Sequence, residues 1–184
     1  VSLPAAHVLF DMLFVCVRPI FTNLCPLFPS WNTIVPDINR ALTALDVRGN
    51  ALGGGCTALA ESVSKNQQIE TFCGIPVKQL RGDKLTKLDL NGQNIGACGA
   101  MVIAHLLEFS RSLTALDVRG NALGDGSTAL AEAVSKNQQI VKFCEVPVKQ
   151  MRDDALVELD LKQKDIGACG AMVIAHLLEF SRAL

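Results

Sequence analysis

Apolar residues fall at positions 1, 4, 6 and 11 of the stretch that opens with Leu42 and continues through Leu45, Val47 and Leu52, with Asn50 at position 9. Alternation across residues 44–48 predicts a short strand whose Leu45 and Val47 face inward while Ala44, Asp46 and Arg48 face solvent. After a bend at Gly53, Gly54 and Gly55 the apolar residues switch to helical spacing at Leu59, Ala60 and Val63, which predicts a helix over 55–65. Asn50 suits the turn between strand and helix, because a side-chain amide can bond backbone groups that the bend leaves unpaired.

The pattern then returns. Residues 113–123 repeat residues 42–52 letter for letter, and residues 42–112 align with 113–183 without a gap, 54 of 71 positions being identical. Self-similarity at a fixed period marks a repeat architecture. Within the two copies, strands are predicted to begin at Leu42, Ile69, Leu85, Leu113, Ile140 and Leu156, in steps of 27, 16, 28, 27 and 16 residues. Helices are predicted over 55–65, 99–111, 126–136 and 170–182. The 16-residue step is too short for a strand, a full helix and two turns, and Pro76 keeps a helix from starting at once, so 75–84 is expected to be an irregular return. Six strands at about 4.8 Å spacing would make a sheet roughly 25 Å wide, enough for a modest protein-sized contact.

The spacing of 27 and 28 residues, the Leu-x-x-Leu-x-Leu/Val strand, the Asn-x-Leu turn and the Gly followed by a Leu-Ala helix resemble the ribonuclease-inhibitor-like class of leucine-rich repeats. That class is also found at the C-terminal end of NOD-like receptors and in GTPase-activating proteins for the Ran GTPase. The resemblance covers about residues 42–184 and implies an α/β solenoid, a right-handed superhelix with about six parallel strands on a concave side and helices on the convex side. It also implies that the partner is another protein. The chain departs from the pattern in the 16-residue step, in Gly74 at the sixth strand position, and in Gln93 and Lys164 where the turn Asn belongs.

Residues 1–40 have no counterpart in the repeat until 38–42, which parallel 109–113. The apolar stretch 5–28 contains Asp11, Arg18, Pro19 and Pro26, so it lacks the run of about 20 apolar residues that a membrane span needs. No basic start marks it as a secretory signal. It is expected to cover the end of the apolar core, with a membrane-associated segment or a non-native extension as the alternatives. The solenoid is assigned to 41–184, as two units of 71 residues, 42–112 and 113–183. The chain lacks an initiator Met and stops where a third copy would begin, which points to a fragment of a longer array. Its last helix would then expose an apolar edge and favour end-to-end self-association.

A net charge of -1 and a pI near 6.3 give no electrostatic reason to expect nucleic acid or an anionic membrane as partner. The seven cysteines are odd in number and form no C-x-x-C pair, so no metal site is expected. Cys73 with Cys144, and Cys98 with Cys169, are repeat-related and would lie too far apart for disulfides. Buried free thiols in a reducing, cytoplasmic compartment are predicted instead. His105 and His176 occupy a solvent-facing helix slot a whole unit apart, and His7 has no companion ligand. Neither G-x-S-x-G nor a phosphate-binding loop is present, so no catalytic residue and no cofactor are expected.

The copies differ most at strand and turn positions. Asn91, Gly92, Gln93 and Asn94 become Lys162, Gln163, Lys164 and Asp165, while Thr71, Gly74 and Lys87 become Lys142, Glu145 and Glu158. Helix residues such as Glu61, Lys65 and Glu108 are the same in both copies. The strand face is therefore the candidate contact surface: Asp46, Arg48, Thr71, Cys73, Lys87, Asp89, Asn91, Asp117, Arg119, Lys142, Cys144, Glu158, Asp160 and Lys162. A non-enzymatic protein-interaction module of a larger intracellular protein is expected. A GTPase-activating or enzyme-inhibiting protein of the same fold, and a structural spacer, are the alternatives. Joint replacement of Arg48 and Arg119 is expected to weaken partner capture without unfolding the chain.

Overall fold

Short runs of alternating exposed and buried side chains form five strands: β1 (Ala44–Leu45), β2 (Thr71–Phe72), β3 (Lys87–Asp89), β4 (Ala115–Asp117) and β5 (Lys142–Phe143). In the computed structural model, which describes residues 41–180, these strands interleave with six helices. The helices are α1 (Gly55–Lys65), α2 (Val77–Arg81), α3 (Gly96–Leu107), α4 (Gly126–Lys136), α5 (Val148–Arg152) and α6 (Gly167–Phe180). Residues 1–40, with the expected cover or membrane-associated stretch, lie outside the described residues. So do residues 181–184.

All the strands pair in parallel, but the predicted sheet of six is corrected to two sheets, β1-β2 and β3-β4-β5. The reason lies in the 16-residue step. A tight turn brings Ile75 back onto Phe72, so that Phe72 N–H donates to the Ile75 carbonyl at 3.0 Å and Ile75 N–H donates to the Phe72 carbonyl at 2.8 Å. Lys78 N–H then takes the Glu70 carbonyl at 3.1 Å. Each backbone group that β2 would offer to β3 is thus already paired, and a ladder cannot continue past it. The second copy does the same: Phe143 exchanges bonds with Val146, and Lys149 N–H takes the Val141 carbonyl. The strand predicted at Leu156 meets that sealed edge, and residues 155–161 form none.

Both central residues of the turn are left-handed, Cys73 at φ 48° and Gly74 at φ 80°, as a two-residue hairpin loop that follows the strand twist requires. Gly74 adopts this conformation without strain. Its counterpart Glu145 holds φ 71° with a side chain attached.

The irregular return expected over 75–84 is instead the five-residue helix α2, and 148–152 form its copy α5. Pro76 and Pro147 sit at the N-cap, where a missing N–H costs nothing because the first helical turn leaves its donors unpaired anyway. Each short helix delivers an arginine to the end of the preceding long one. Arg81 donates to the Val63 carbonyl at 3.1 Å and Arg152 to the Asn137 carbonyl at 3.0 Å, where the helix dipole favours positive charge. The helices α1 and α4 match their predicted ranges, whereas α3 and α6 begin three residues earlier than 99 and 170.

The helix layer is continuous where the sheet is not: α1 packs on α3, α3 on α4, and α4 on α6. One apolar core runs beneath it, with Phe72, Phe143, Leu116, Ile103 and Leu130 among its fully buried members. Cys56 and Cys98 join α1 to α3 by a disulfide, which corrects the expectation of free thiols for that pair. Cys56 and Cys98 are not repeat-related, so the 71-residue separation that keeps Cys73 from Cys144 does not keep these two apart. Ser127 stands where the second copy would need its first cysteine, leaving Cys169 free and buried. The disulfide also removes the cysteine argument for a reducing compartment.

Candidate protein-binding face

The aspartates expected on the contact face, at position 5 of the strand motif, each have a local task. Asp46, Asp89, Asp117 and Asp160 each accept the backbone N–H two residues on, at 3.0 Å. Asp side chains close turns in this way, and here they fix the chain as it leaves the strand.

Arg48 and Arg119 are held more firmly than solvent-facing residues would be. The Arg48 Nε lies 2.9 Å from both Asp46 carboxylate oxygens, and Arg119 forms the same fork on Asp117 at 3.0 Å. Their remaining amine then spans the short repeat: Arg48 Nη1 donates to the Gln93 carbonyl and Arg119 Nη1 to the Lys164 carbonyl, both at 3.1 Å. Each guanidinium thus bridges the gap where the strand ladder is missing. Arg48 side-chain bonds and its N–H hold Asp46 down to about 2. Burial works against the Asp117 anion, but bonds from Arg119 outweigh it and lower its pKa as well. Both carboxylates stay ionised below the ordinary aspartate range. Replacing the two arginines together would remove these braces, so they are unsuited to separate binding from folding.

Cys73 and Cys144 do not belong to the open face. Each is 2 % exposed, because the left-handed turn rotates position 5 of the intervening strand inward. Val118 N–H lies 3.4 Å from the Cys144 sulfur, and burial pushes that thiol up to about 12. Burial raises the Cys73 thiol too.

What remains open is a set of side chains pointing away from the core: Thr71, Lys87 and Asn91 in the first copy, and Lys142, Glu158 and Lys162 in the second. Lys142 reaches Glu145 at 2.9 Å, and Glu145 also meets Arg119 at 3.4 Å, so the strained turn of the second copy carries a charge network that Gly74 cannot form. Polar differences between the copies at 71, 74, 87 and 91–94 lie on this side, whereas Ser62 against Ala133 lies on the long helix and Lys84 against Ala155 follows the short one. On the helix side His105 and His176 are half-buried rather than solvent-facing, and His176 Nδ1 sits 3.4 Å from the Ser135 hydroxyl. Among the described residues no group of three or more His, Cys, Asp or Glu could hold a metal ion, and no helix is long and apolar enough to cross a membrane.

The turn asparagine Asn121 ties successive coils together, whereas Asn50 bonds the Val47 and Arg48 carbonyls of its own turn. Asn121 Nδ2 donates to the carbonyls of Leu90, Val118 and Arg119, and its Oδ1 accepts Ile95 N–H at 3.1 Å. It thereby satisfies the preceding turn, where Gln93 replaces asparagine.

A family model described as Leucine Rich repeat matches residues 109–127, the stretch that contains β4 and Asn121. The chain therefore carries a leucine-rich repeat within an α/β fold of parallel strands. No curated protein and no solved structure matches the chain.

Proposed function

We propose that residues 41–180 are a leucine-rich repeat solenoid of the ribonuclease-inhibitor-like kind that binds another protein through its strand face and the adjoining turns, without catalysis of its own. One observation carries the reading. Exposed positions diverge between the two copies on the strand and turn side, at 71, 87 and 91–94, while the exposed helix positions 61 and 65 and the helix-flanking positions 67 and 108 are unchanged, Ser62 against Ala133 being the exposed helix position that differs. Solvent exposure alone would relax both sides alike. The module is suited to a scaffold or recognition region within a larger protein, and mixed charges on the face suit a polar protein surface rather than a polyanion. A GTPase-activating role would call for an available arginine or asparagine. Both arginines of this face are occupied as braces, which disfavours such a role through either of them, while Asn91 stays open.

The test compares two double variants of matched charge change. Lys87→Glu with Lys162→Glu alters the strand face, and Lys65→Glu with Lys136→Glu alters the helix face. Quantitative cross-linking and capture from cells that express the full chain should show the same enriched protein for wild type and the helix-face variant. Capture should fall at least tenfold for the strand-face variant. Equal capture by all three, or loss only in the helix-face variant, would place the binding surface elsewhere.

A further inference from the structure

We propose that the first copy holds an acidic side chain of the partner protein, in a slot over Gly74 that the second copy fills with its own Glu145. The inference rests on the strand face being the binding surface. In the second copy the Glu145 carboxylate lies 3.4 Å from Arg119 Nη2 and 2.9 Å from Lys142 Nζ. The first copy keeps the arginine and lacks the occupant. Arg48 is braced as Arg119 is, with Nε and Nη2 on Asp46 and Nη1 on the Gln93 carbonyl. Each terminal nitrogen of a guanidinium carries two N–H groups, so one remains on each after these bonds. On Arg119 the spare Nη2 N–H is the one that meets Glu145. At position 74 glycine supplies no side chain to do the same, and a Cβ built there would meet only Arg48 Nη1, at 3.9 Å.

The slot lies within the array. Gly74 follows β2, which pairs with β1, and Arg48 crosses to the turn that follows β3. The neighbouring strand-motif aspartates do not fill it, because Asp46 is held in the Arg48 fork and Asp89 closes its own turn on Asn91 N–H. Across the gap Lys87 is exposed and has no ion pair among the described residues, and it stands where the second copy has Glu158. Positions 71, 74 and 87 read Thr, Gly and Lys in the first copy, a charge of +1, and Lys, Glu and Glu in the second, a charge of -1. A fixed guanidinium with spare donors and an unpaired lysine beside it favour a carboxylate brought by the partner.

Titration of the isotope-labelled full chain with N-acetylglutamate methylamide, at fixed ionic strength, tests the slot through the NMR signal of the Arg48 Nε–H. That signal should move along a saturating course, and the glutamine analogue should leave it in place. Gly74→Glu puts the chain's own carboxylate in the slot and should abolish the response. Gly74→Ala adds a side chain at the same left-handed position without a carboxylate and should keep it. Glu145→Gly should make the Arg119 Nε–H respond as that of Arg48 does. In cells, Gly74→Glu should lower capture of the enriched protein as Lys87→Glu with Lys162→Glu does. The slot is overturned if the two analogues act alike on Arg48, or if Gly74→Glu still responds. Loss of capture in the strand-face variant with none in Gly74→Glu overturns the slot alone, whereas unchanged capture in both overturns the strand face with it.

Discussion

Replacing Phe143 with alanine lowers the unfolding free energy by about 3–5 kcal/mol. The ring is fully buried on β5, between the ladder to β4 and the turn that brings Val146 back. Because the Phe143 N–H and carbonyl are both tied to Val146, the backbone cannot slide inward to fill the space the ring leaves. The cavity therefore persists, and its cost adds to the lost transfer energy. A domain of this kind holds on the order of 5–15 kcal/mol in all, so the loss is a large share. Urea unfolding followed by circular dichroism measures it. A change below about 1 kcal/mol would mean that the ring does not occupy the core as described.

Gly126→Leu is expected to cost about 3 kcal/mol or more, while Gly55→Leu leaves stability nearly unchanged. The two glycines hold the same place in the two copies, so helix propensity acts equally on both and cancels in the comparison. They differ in surroundings: Gly126 abuts the Ala97 backbone, which cannot give way as a flexible side chain could, and Gly55 faces open space. Thermal unfolding of the pair checks this. Similar melting temperatures for the two variants would contradict the close approach of α4 to α3.

The long repeats were legible because their signals are local and redundant: helical spacing at Leu59, Ala60 and Val63 placed α1, and its copy placed α4. The short repeat was not. Pro76 was read as a barrier to a helix, although at the N-cap its missing N–H goes unused, and five residues were enough to form α2. The break in the sheet escaped for a related reason. Apolar periodicity at Ile69 and Phe72 shows which residues turn inward but not which carbonyls the following turn consumes. The clue was Gly74 at the sixth strand position, a residue suited to a left-handed turn and poor in a strand.

On the candidate face, periodicity places Thr71, Lys87, Asn91, Lys142, Glu158 and Lys162 outward, where they stand, but it does not register short-range bonding. Asp-x-Arg at 46–48 and 117–119 reads as two exposed charges, yet the aspartate closes a turn and the arginine crosses to the next long repeat. Counting positions along the strand sets Cys73 and Cys144 outward, but the strand ends at Phe72 and Phe143 and the left-handed turn points both thiols inward. The disulfide lay hidden because comparison at the 71-residue period never sets Cys56 beside Cys98, which adjacent helices bring together.

The short repeat seals its strand, so that two small sheets share one unbroken helix layer. Through-hydrogen-bond couplings measured by NMR on labelled protein test this directly. They should connect the Ile75 amide to the Phe72 carbonyl and the Val146 amide to the Phe143 carbonyl. A coupling from the Phe72 carbonyl to an amide within residues 86–90 would instead show β2 laddered to β3 in one continuous sheet, and would contradict the account.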